Sequence, residues 1–260
     1  MIKYYIGVIK IKEYSTSEIA KEIGIHTNTV RFYEDIEFLP KIPRKSNRYR
    51  VYNEVHLEQL KLIKIALESE LLQNGLRKQV INIIKASARA EYDIALNLSK
   101  EHMNSILKEQ KNAKESIKIV KEILSGTESI INNNEYKRKE LADKLGLTLD
   151  TLRNWELNGL LKIKRKENRY RIYDEFDIQR IKVISSLRCA NFSLSSILRL
   201  LNELDKNSNI DVEYIIDTPK QEEDIISVCD KLITSLEKAK EESYQITELL
   251  EKMKKINPPV

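Results

Sequence analysis

The sequence contains an internal repeat, and this duplication restricts the possible fold more than any other feature. Residues 18–34 (EIAKEIGIHTNTVRFYE) match residues 140–156 (ELADKLGLTLDTLRNWE) at an offset of 122, with six identical positions. The apolar positions correspond as well, so both copies specify the same hydrophobic core. NRYRVY at 47–52 then matches NRYRIY at 168–173 at an offset of 121. The connecting loop of the second copy is therefore one residue shorter, with Pro43 as the candidate for the missing residue, and exposed loops tolerate such changes.

Each copy has the order of elements of a winged helix-turn-helix. A Ser15-x-x-Glu18 capping box predicts the start of a short helix, and Gly24 predicts its end, because glycine readily adopts the left-handed conformation found there. A second short helix is predicted three residues later. A basic stretch that is typical of two strands follows, and then an apolar helical segment; these lie at 41–52 and 55–67, and again at 162–173 and 176–187.

The two copies resemble the DNA-binding domain of the MerR (mercury-resistance regulator) family of transcriptional regulators. The resemblance covers about residues 14–85 and 136–204. It rests on RFYE at 31–34 and RNWE at 153–156, on Phe38-Leu39 and Gly159-Leu160-Leu161, and on the two NRYRxY wings.

Three residues depart from the pattern. Glu37 stands where the second copy has Gly159, and Arg48 and Arg169 stand where the family often has glycine in the wing. We expect these changes to alter the geometry of the wing without removing it.

A heptad pattern follows each module. Its positions are Tyr92, Leu96, Ser99, Met103, Ile106, Gln110, Ala113, Ile117, Val120 and Leu124, and then Ile225, Cys229, Leu232, Leu236, Ala239, Ser243, Ile246, Leu250 and Met253. Alternating steps of three and four residues are typical of a coiled-coil seam, and helices of this size run on the order of 50 Å. In the family that the chain resembles, two protomers pair through such helices in an antiparallel coiled coil.

Two pairings are open for these helices. Because the second module begins at Tyr136, only about ten residues after the first seam, we favour a pairing within one chain, which makes an antiparallel pseudo-dimer. The alternative is a homodimer with four modules.

The predicted fold is therefore mainly α, with two winged helix-turn-helix domains that are each followed by a long coiled-coil helix. Residues 1–12 alternate apolar and polar side chains and form either an added strand or a loose tail. The predicted segments are an N-terminal extension at 1–13, a first winged domain at 14–85, a coiled-coil helix at 86–126, a linker at 127–135, a second winged domain at 136–204, a linker at 205–218 and a second coiled-coil helix at 219–256.

The short second helix of each module and the basic wing are the predicted contacts with duplex DNA. Such a helix presents side chains to the major groove, and a dense basic wing suits phosphate contacts. The residues assigned in the first module are Thr27, Asn28, Arg31, Phe32, Tyr33, Lys41, Arg44, Lys45, Asn47, Arg48, Tyr49 and Arg50. Those assigned in the second are Leu149, Asp150, Arg153, Asn154, Trp155, Lys164, Arg165, Lys166, Asn168, Arg169, Tyr170 and Arg171.

Arg31 and Arg153 are the leading candidates for base contacts, whereas Tyr33 and Trp155 fit a core position better than a contact. The short second helix of each module is called its recognition helix below. Because the two recognition helices differ in sequence, the operator is expected to have two unlike half-sites. The resemblance implies a regulator that distorts promoter DNA so that RNA polymerase can engage it. Two alternatives stay open: a coiled-coil interaction protein that antagonises related regulators, and a DNA-bending recombination accessory factor.

Other classes of function lack support in the sequence. His26, His56 and His102 are far apart and have no carboxylate or cysteine at ligand spacing, so no metal site is expected. The chain has no nucleophile motif, phosphate-binding glycine loop or carboxylate pair, so neither catalysis nor a cofactor is expected. Cys189 and Cys229 are expected as buried, reduced thiols. No apolar run approaches the roughly 20 residues that a membrane span needs, and with a net charge of +5 we expect a cytoplasmic, nucleoid-associated protein.

Overall fold

The structure, a computed structural model, describes residues 12–68, 75–126, 135–163, 171–207, 210–219 and 228–258. In these residues the predicted mainly helical fold with two helix-turn-helix modules is confirmed. The helices are α1 (Thr16–Ile23), α2 (Thr27–Asp35), α3 (Glu54–Glu68), α4 (Leu76–Ala88), α5 (Tyr92–Gly126), α6 (Arg138–Leu145), α7 (Leu149–Leu157), α8 (Glu175–Cys189), α9 (Leu194–Leu204), α10 (Val212–Asp217) and α11 (Leu232–Ile256). Two short strands, β1 (Tyr136–Lys137) and β2 (Ile172–Tyr173), and a 3-10 helix at Val228–Lys231 complete the described elements.

The chain divides into two compact units. The first unit comprises Met1–Ile106 and Lys238–Val260, and the second comprises Leu107–Glu237. The first module therefore shares its unit with the C-terminal part of α11, and the second module shares its unit with the C-terminal part of α5.

The first helix-turn-helix forms where local sequence rules place it. The Ser15 hydroxyl accepts from the backbone N–H of Glu18 at 3.3 Å, and the Glu18 carboxylate accepts from the N–H of Ser15 at 2.7 Å, so the predicted capping box is confirmed. Gly24 ends α1 with φ of 75°, in the left-handed conformation that glycine adopts without strain. His26 Nδ1 then accepts from the N–H of Asn28 at 3.2 Å and caps α2.

The core of the first module is apolar and contains a buried polar network around Gln59. Ile19 of α1, Val30 of α2 and Ile63 of α3 are fully buried. The Gln59 amide donates to the carbonyl oxygens of Phe38 and Ile84 at 2.8 and 3.1 Å, so it ties the loop after α2 to α4. A buried amide needs such partners, because an unpaired polar group in a core costs about 1–3 kcal/mol.

The C-terminal part of α11 packs on the first module and on α5. Ile246, Leu250 and Met253 belong to the same buried core as α1, α3 and α4. Lys252 Nζ lies 2.9 Å from Oε1 of the buried Glu58 in α3. Ser99 of α5 and Thr247 of α11 are joined by a hydroxyl–hydroxyl hydrogen bond of 2.8 Å.

The second module repeats the construction of the first. Gly146 ends α6 with φ of 65°, and the Thr148 hydroxyl accepts from the N–H of Thr151 at 3.0 Å to cap α7. The antiparallel pair β1–β2 aligns Tyr136 with Tyr173. In the first module the isolated antiparallel bridge between Tyr14 and Tyr52 occupies the equivalent place.

The C-terminal part of α5 packs on the second module. The Ser116 hydroxyl donates to the carbonyl oxygen of Ser186 in α8 at 2.6 Å. The Asn191 amide, just after α8, donates to Glu109 Oε2 of α5 at 3.2 Å.

The predicted seams coincide with buried positions. The seam residues of α11 from Leu232 to Met253 are all buried. In α5 six are buried and four are half-buried, the latter being Leu96, Met103, Gln110 and Leu124. Ile225 and the side chain of Cys229 lie outside the described residues.

The start of the second long helix differs from the expected position at 219. The α-helix begins at Leu232, and residues 218–219 are not helical. The Asp217 carboxylate accepts from the N–H groups of Ile233 and Thr234 at 2.8 and 3.1 Å. This capping by a residue from another helix fixes the start, and the segment expected as a linker at 205–218 contains α10, which ends at that aspartate.

The expectation that Cys189 is buried is wrong. Cys189 is a free thiol and is exposed. It lies two residues beyond the buried Leu187 at the end of α8, which places it about 200° around the helix and so on the opposite face. Among the described residues, no helix combines the length and the apolar character that crossing a membrane requires.

Candidate nucleic-acid interface

The recognition helix of the first module presents one polar and aromatic face to solvent. Val30 anchors α2 in the core, whereas Asn28 and Arg31 are exposed and Phe32 is 55% exposed. Thr27 is half-buried at the start of the helix. Arg31 Nη1 lies 3.5 Å from Asn28 Oδ1, so both side chains occupy the same face.

The aromatic residue that follows this face differs between the modules. Tyr33 is half-buried and stacks on Phe38 with ring centroids 6.2 Å apart. Trp155, which was assigned as a DNA contact, is only 5% exposed. Its burial fits the core position, which the sequence favours for this residue, better than a contact with DNA.

The recognition helix of the second module has the same orientation with different chemistry. Leu152 is buried, while Asp150, Arg153 and Asn154 are exposed, and Leu149 is 45% exposed. Arg31 and Arg153 therefore occupy equivalent exposed positions in the two helices.

The first wing is a tight hairpin with less strand structure than the sequence predicted. Its ladder is a single antiparallel bridge between Arg44 and Arg50. The N–H of Arg48 donates to the Lys45 carbonyl oxygen at 2.8 Å, and the N–H of Tyr49 donates to Asn47 Oδ1 at 3.2 Å. Arg48 has φ of 66°, the conformation for which the resembled family often has glycine at this position.

A carboxylate at the end of each recognition helix holds the wing. Glu34 accepts from Arg50 Nε at 2.5 Å and from Arg44 Nη2 at 3.4 Å. In the second module Glu156 accepts from Arg171 Nε at 2.7 Å and from the Tyr173 hydroxyl at 3.0 Å. Burial raises the pKa of Tyr173, and the hydrogen bond to Glu156 raises it further. The phenol therefore stays protonated and donates.

These contacts with Glu34 and Glu156 give two of the wing arginines a structural role. Arg50 and Arg171, which were assigned as DNA contacts, are half-buried and paired with the recognition helix. They act first as positioning residues for the wing. The sequence did not identify these glutamates as site residues, although a glutamate at the same position of both copies, at the end of RFYE and of RNWE, was a signal that could have found them.

The first module brings the recognition helix and the wing together around one groove. The groove has a volume of about 260 Å³. Tyr49 is 72% exposed at its edge, and no acidic residue lines it in the described part of the chain. Thr16 is a lining residue that the sequence did not identify. The residues around the groove are Thr16, Arg31, Asn47, Arg48, Tyr49 and Arg50.

The remaining bases of the first wing are exposed. Lys41 points to solvent, and Lys45 Nζ lies 3.0 Å from Glu13 Oε2 in an exposed pair. Exposed pairs of this kind contribute about 0–1 kcal/mol, so Lys45 can exchange its partner for a phosphate.

Most of the second wing falls in a part of the chain that the structure does not describe. Lys164, Arg165, Lys166, Asn168, Arg169 and Tyr170 lie outside the described residues. Beside α7 the second module has a groove of larger volume, about 550 Å³, whose lining includes Asp150, Asn154, Arg188 and Cys189. Within the described parts of both units, no group of three or more histidine, cysteine, aspartate or glutamate residues could hold a metal ion.

Comparisons with known proteins agree with the geometry of both modules. Residues 14–82 and 136–204, just over half of the chain, match the family described as MerR HTH family regulatory protein. The HTH-type transcriptional regulator ZntR of Escherichia coli strain K12 is 40% identical over 68 residues, which are 26% of this chain and 48% of that protein. The mercuric resistance operon regulatory protein of Bacillus cereus is 32% identical over 74 residues, which are 28% of this chain and 56% of that protein.

A third relative has similar coverage. The HTH-type transcriptional regulator AdhR of Bacillus subtilis strain 168 is 40% identical over 60 residues, which are 23% of this chain and 43% of that protein. The chain spans about half the length of the curated relatives it matches. No solved structure gives a significant match. With two matching segments at the two helix-turn-helix modules, the chain belongs to the MerR HTH family of regulatory proteins.

Proposed function

We propose that this chain is a transcriptional regulator that binds duplex DNA through both of its modules. The observation that carries the proposal is the groove in which Arg31 of the recognition helix faces Arg48 and Tyr49 of the wing. A recognition helix enters the major groove, while basic side chains beside it neutralise the flanking phosphates. Binding to DNA would place the protein on the nucleoid.

The two long helices support a single-chain pseudo-dimer. In the first unit the C-terminal part of α11 packs on the first module, and in the second unit the C-terminal part of α5 packs on the second module. Each module thus receives the helix that follows the other module. A chain that supplies both helices can complete this arrangement without a second copy, so concatenation replaces dimerisation.

The mass in solution tests this arrangement. Sedimentation equilibrium of the full chain should give the mass of one chain, 30.4 kDa, over the range of concentrations at which it binds DNA. A dimer that persists at these concentrations would exclude the single-chain form and leave the homodimer with four modules.

Two unlike recognition helices would give an operator with two unlike half-sites. Family membership further supports a mechanism in which the bound protein distorts promoter DNA so that RNA polymerase can engage it. Complexes with duplexes of equal length, in which the binding site lies at different distances from the ends, should then differ in gel mobility. Equal mobility would remove the distortion from the proposal and leave DNA binding intact.

The binding step itself is tested with a pool of random duplexes and the intact chain. Arg48→Ala should weaken binding to every retained duplex and flatten the dependence of log K on log[salt] by about one phosphate contact. Arg31→Ala should also relax base preference, by about 1–3 kcal/mol at one position. Lys108→Ala, an exposed lysine of α5, is the matched control and should change neither quantity. If the wild-type chain retains no duplex, the proposed function is wrong.

A further inference from the structure

The second residue of the recognition helix differs in charge between the two modules. It is Asn28 in α2, which begins at Thr27, and Asp150 in α7, which begins at Leu149. Both side chains are exposed on the face that carries the helix arginine, and both helices have nine residues. The two positions are therefore geometrically equivalent and chemically different.

Asp150 lies in the first turn of α7, where its negative charge stabilises the helix modestly through the helix dipole, but it does not cap the helix. The cap of α7 is the Thr148 hydroxyl, which accepts from the N–H of Thr151 at 3.0 Å. No hydrogen bond or ion pair of the Asp150 carboxylate occurs among the described residues. An acid on a surface that faces phosphates weakens binding, and this cost opposes the small gain from the helix dipole, so a further role at this position is favoured.

Base recognition supplies such a role. The N-terminal residues of a recognition helix contact base edges in the major groove. An asparagine amide both donates and accepts, so it pairs with N7 and N6 of adenine. An ionised aspartate only accepts, so it pairs with the N4 amino group of cytosine, and it is repelled by the acceptor atoms of guanine and by O4 of thymine.

We propose that Asn28 and Asp150 are the residues that make the two half-sites unlike, with Asn28 reading adenine and Asp150 reading cytosine at the equivalent base pair. This inference rests on the proposed binding of duplex DNA. Asp150 also acts by exclusion, because a carboxylate pressed against DNA without a donor opposite it disfavours guanine and thymine, whereas adenine is disfavoured less, since its N6 amino group donates beside the N7 acceptor. Specificity at this position is expected to be about tenfold, within the range for a good base pair contact.

The test is selection from a pool of random duplexes of about 40 base pairs, which span two half-sites one or more helical turns apart. The intact wild-type chain, Asp150→Asn and Asn28→Asp are compared. Asp150→Asn should change one cytosine to adenine in one half-site and leave the other half-site unchanged. Asn28→Asp should make the reciprocal change in the other half-site, with about a tenfold shift in preference each time.

Asp143→Asn is the matched control. Asp143 is an exposed acid of α6 in the same module, so its removal alters the charge equally without touching the recognition helix. This variant should keep the wild-type consensus. Thermal melting by circular dichroism checks that each variant is folded.

The outcomes separate the inference from the function on which it rests. If the wild-type chain retains duplexes and folded Asp150→Asn selects the same consensus, the base assignment is wrong and DNA binding stands. The same conclusion follows if Asp143→Asn produces the same base change, or if folded Asp150→Asn retains no duplex. If the wild-type chain itself retains none, both proposals are wrong.

Discussion

His102 gives a quantitative test of how α5 packs in the first unit. Its side chain is buried in α5, and Nδ1 lies 3.0 Å from Gln79 Oε1 of α4. It borders a small cavity whose lining also includes Arg77, Ile106 and Ala239. Burial lowers the pKa of His102 from its ordinary value of 6.5 to about 4. The imidazole is therefore neutral in the folded protein at pH 7.

The sign of the effect follows from proton binding. Between pH 6.5 and about 4 the unfolded chain holds a proton on His102 that the folded chain does not, so stability falls as the pH falls through this window. Above pH 6.5 His102 is mostly neutral in both the folded and the unfolded chain, so little of this loss of stability remains there. Between pH 7.5 and pH 4.5 the loss from this residue amounts to about 2.5 kcal/mol of unfolding free energy.

Urea unfolding of wild type and His102→Gln at the two pH values measures this loss. Glutamine keeps a hydrogen-bonding group near Gln79 and does not titrate, so the variant should lose about 2.5 kcal/mol less than wild type on acidification. Lys108→Gln, a change at an exposed lysine of the same helix, is the control and should retain the pH dependence of wild type. If wild type and His102→Gln lose equal stability, His102 is not held neutral by burial and the packing described for α5 is wrong.

Three further changes test other contacts. Arg50→Met should lower the affinity for all duplexes, measured by fluorescence anisotropy, because the wing loses its ion pair with Glu34. The unfolding free energy, measured by thermal melting, should change by only about 0.5–1 kcal/mol. Gly159→Ala should destabilise the protein by about 1 kcal/mol in urea, because φ is 75° there, whereas Glu37→Gly, at φ 60°, should be neutral or stabilising. Lys252→Met should lower the unfolding free energy, measured with urea, by about 1–3 kcal/mol, because it leaves the buried Glu58 with one fewer donor. This difference in unfolding free energy from wild type should shrink at low pH.

The shrinkage at low pH follows from the pKa of Glu58. Burial by itself raises this pKa, but the hydrogen bonds from Lys252 and Lys61 outweigh burial and lower it overall. A lowered pKa contributes stability above the ordinary value, and this contribution is lost as the pH falls through the folded-state value. A deficit that stayed constant down to that pH would show that Lys252 acts by packing alone.

The sequence predicted those features that neighbouring residues determine. The capping box at Ser15 and Glu18 and the helix end at Gly24 depend on contacts within four residues, and both formed as predicted. The repeat located the second module because the same local rules apply twice. Buried seam positions followed from helical periodicity alone.

Features that depend on distant residues were not predictable in this way. The start of α11 depends on the Asp217 carboxylate, which comes from α10 and lies 16 residues before Ile233. The role of Arg50 depends on Glu34, 16 residues away, and a basic run in the sequence does not indicate which of its members is already paired. Cys189 is exposed because it lies on the face of α8 opposite the buried Leu187, and an apolar sequence context does not indicate which face of a helix end is covered.

The two modules contact different helices, and this difference supports the proposed pairing within one chain. Glu58 of α3 receives Lys252 of α11, but the equivalent position in α8 is Gln179, which offers no charge to that lysine. The second module instead receives α5 through Ser186, where α3 has Ile65. A homotypic exchange would therefore leave Glu58 buried without Lys252 and would place a serine against an isoleucine. In the proposed pairing within one chain, covalent linkage would raise the effective concentration of the correct partner to about the millimolar range, and a second chain would have to compete against it.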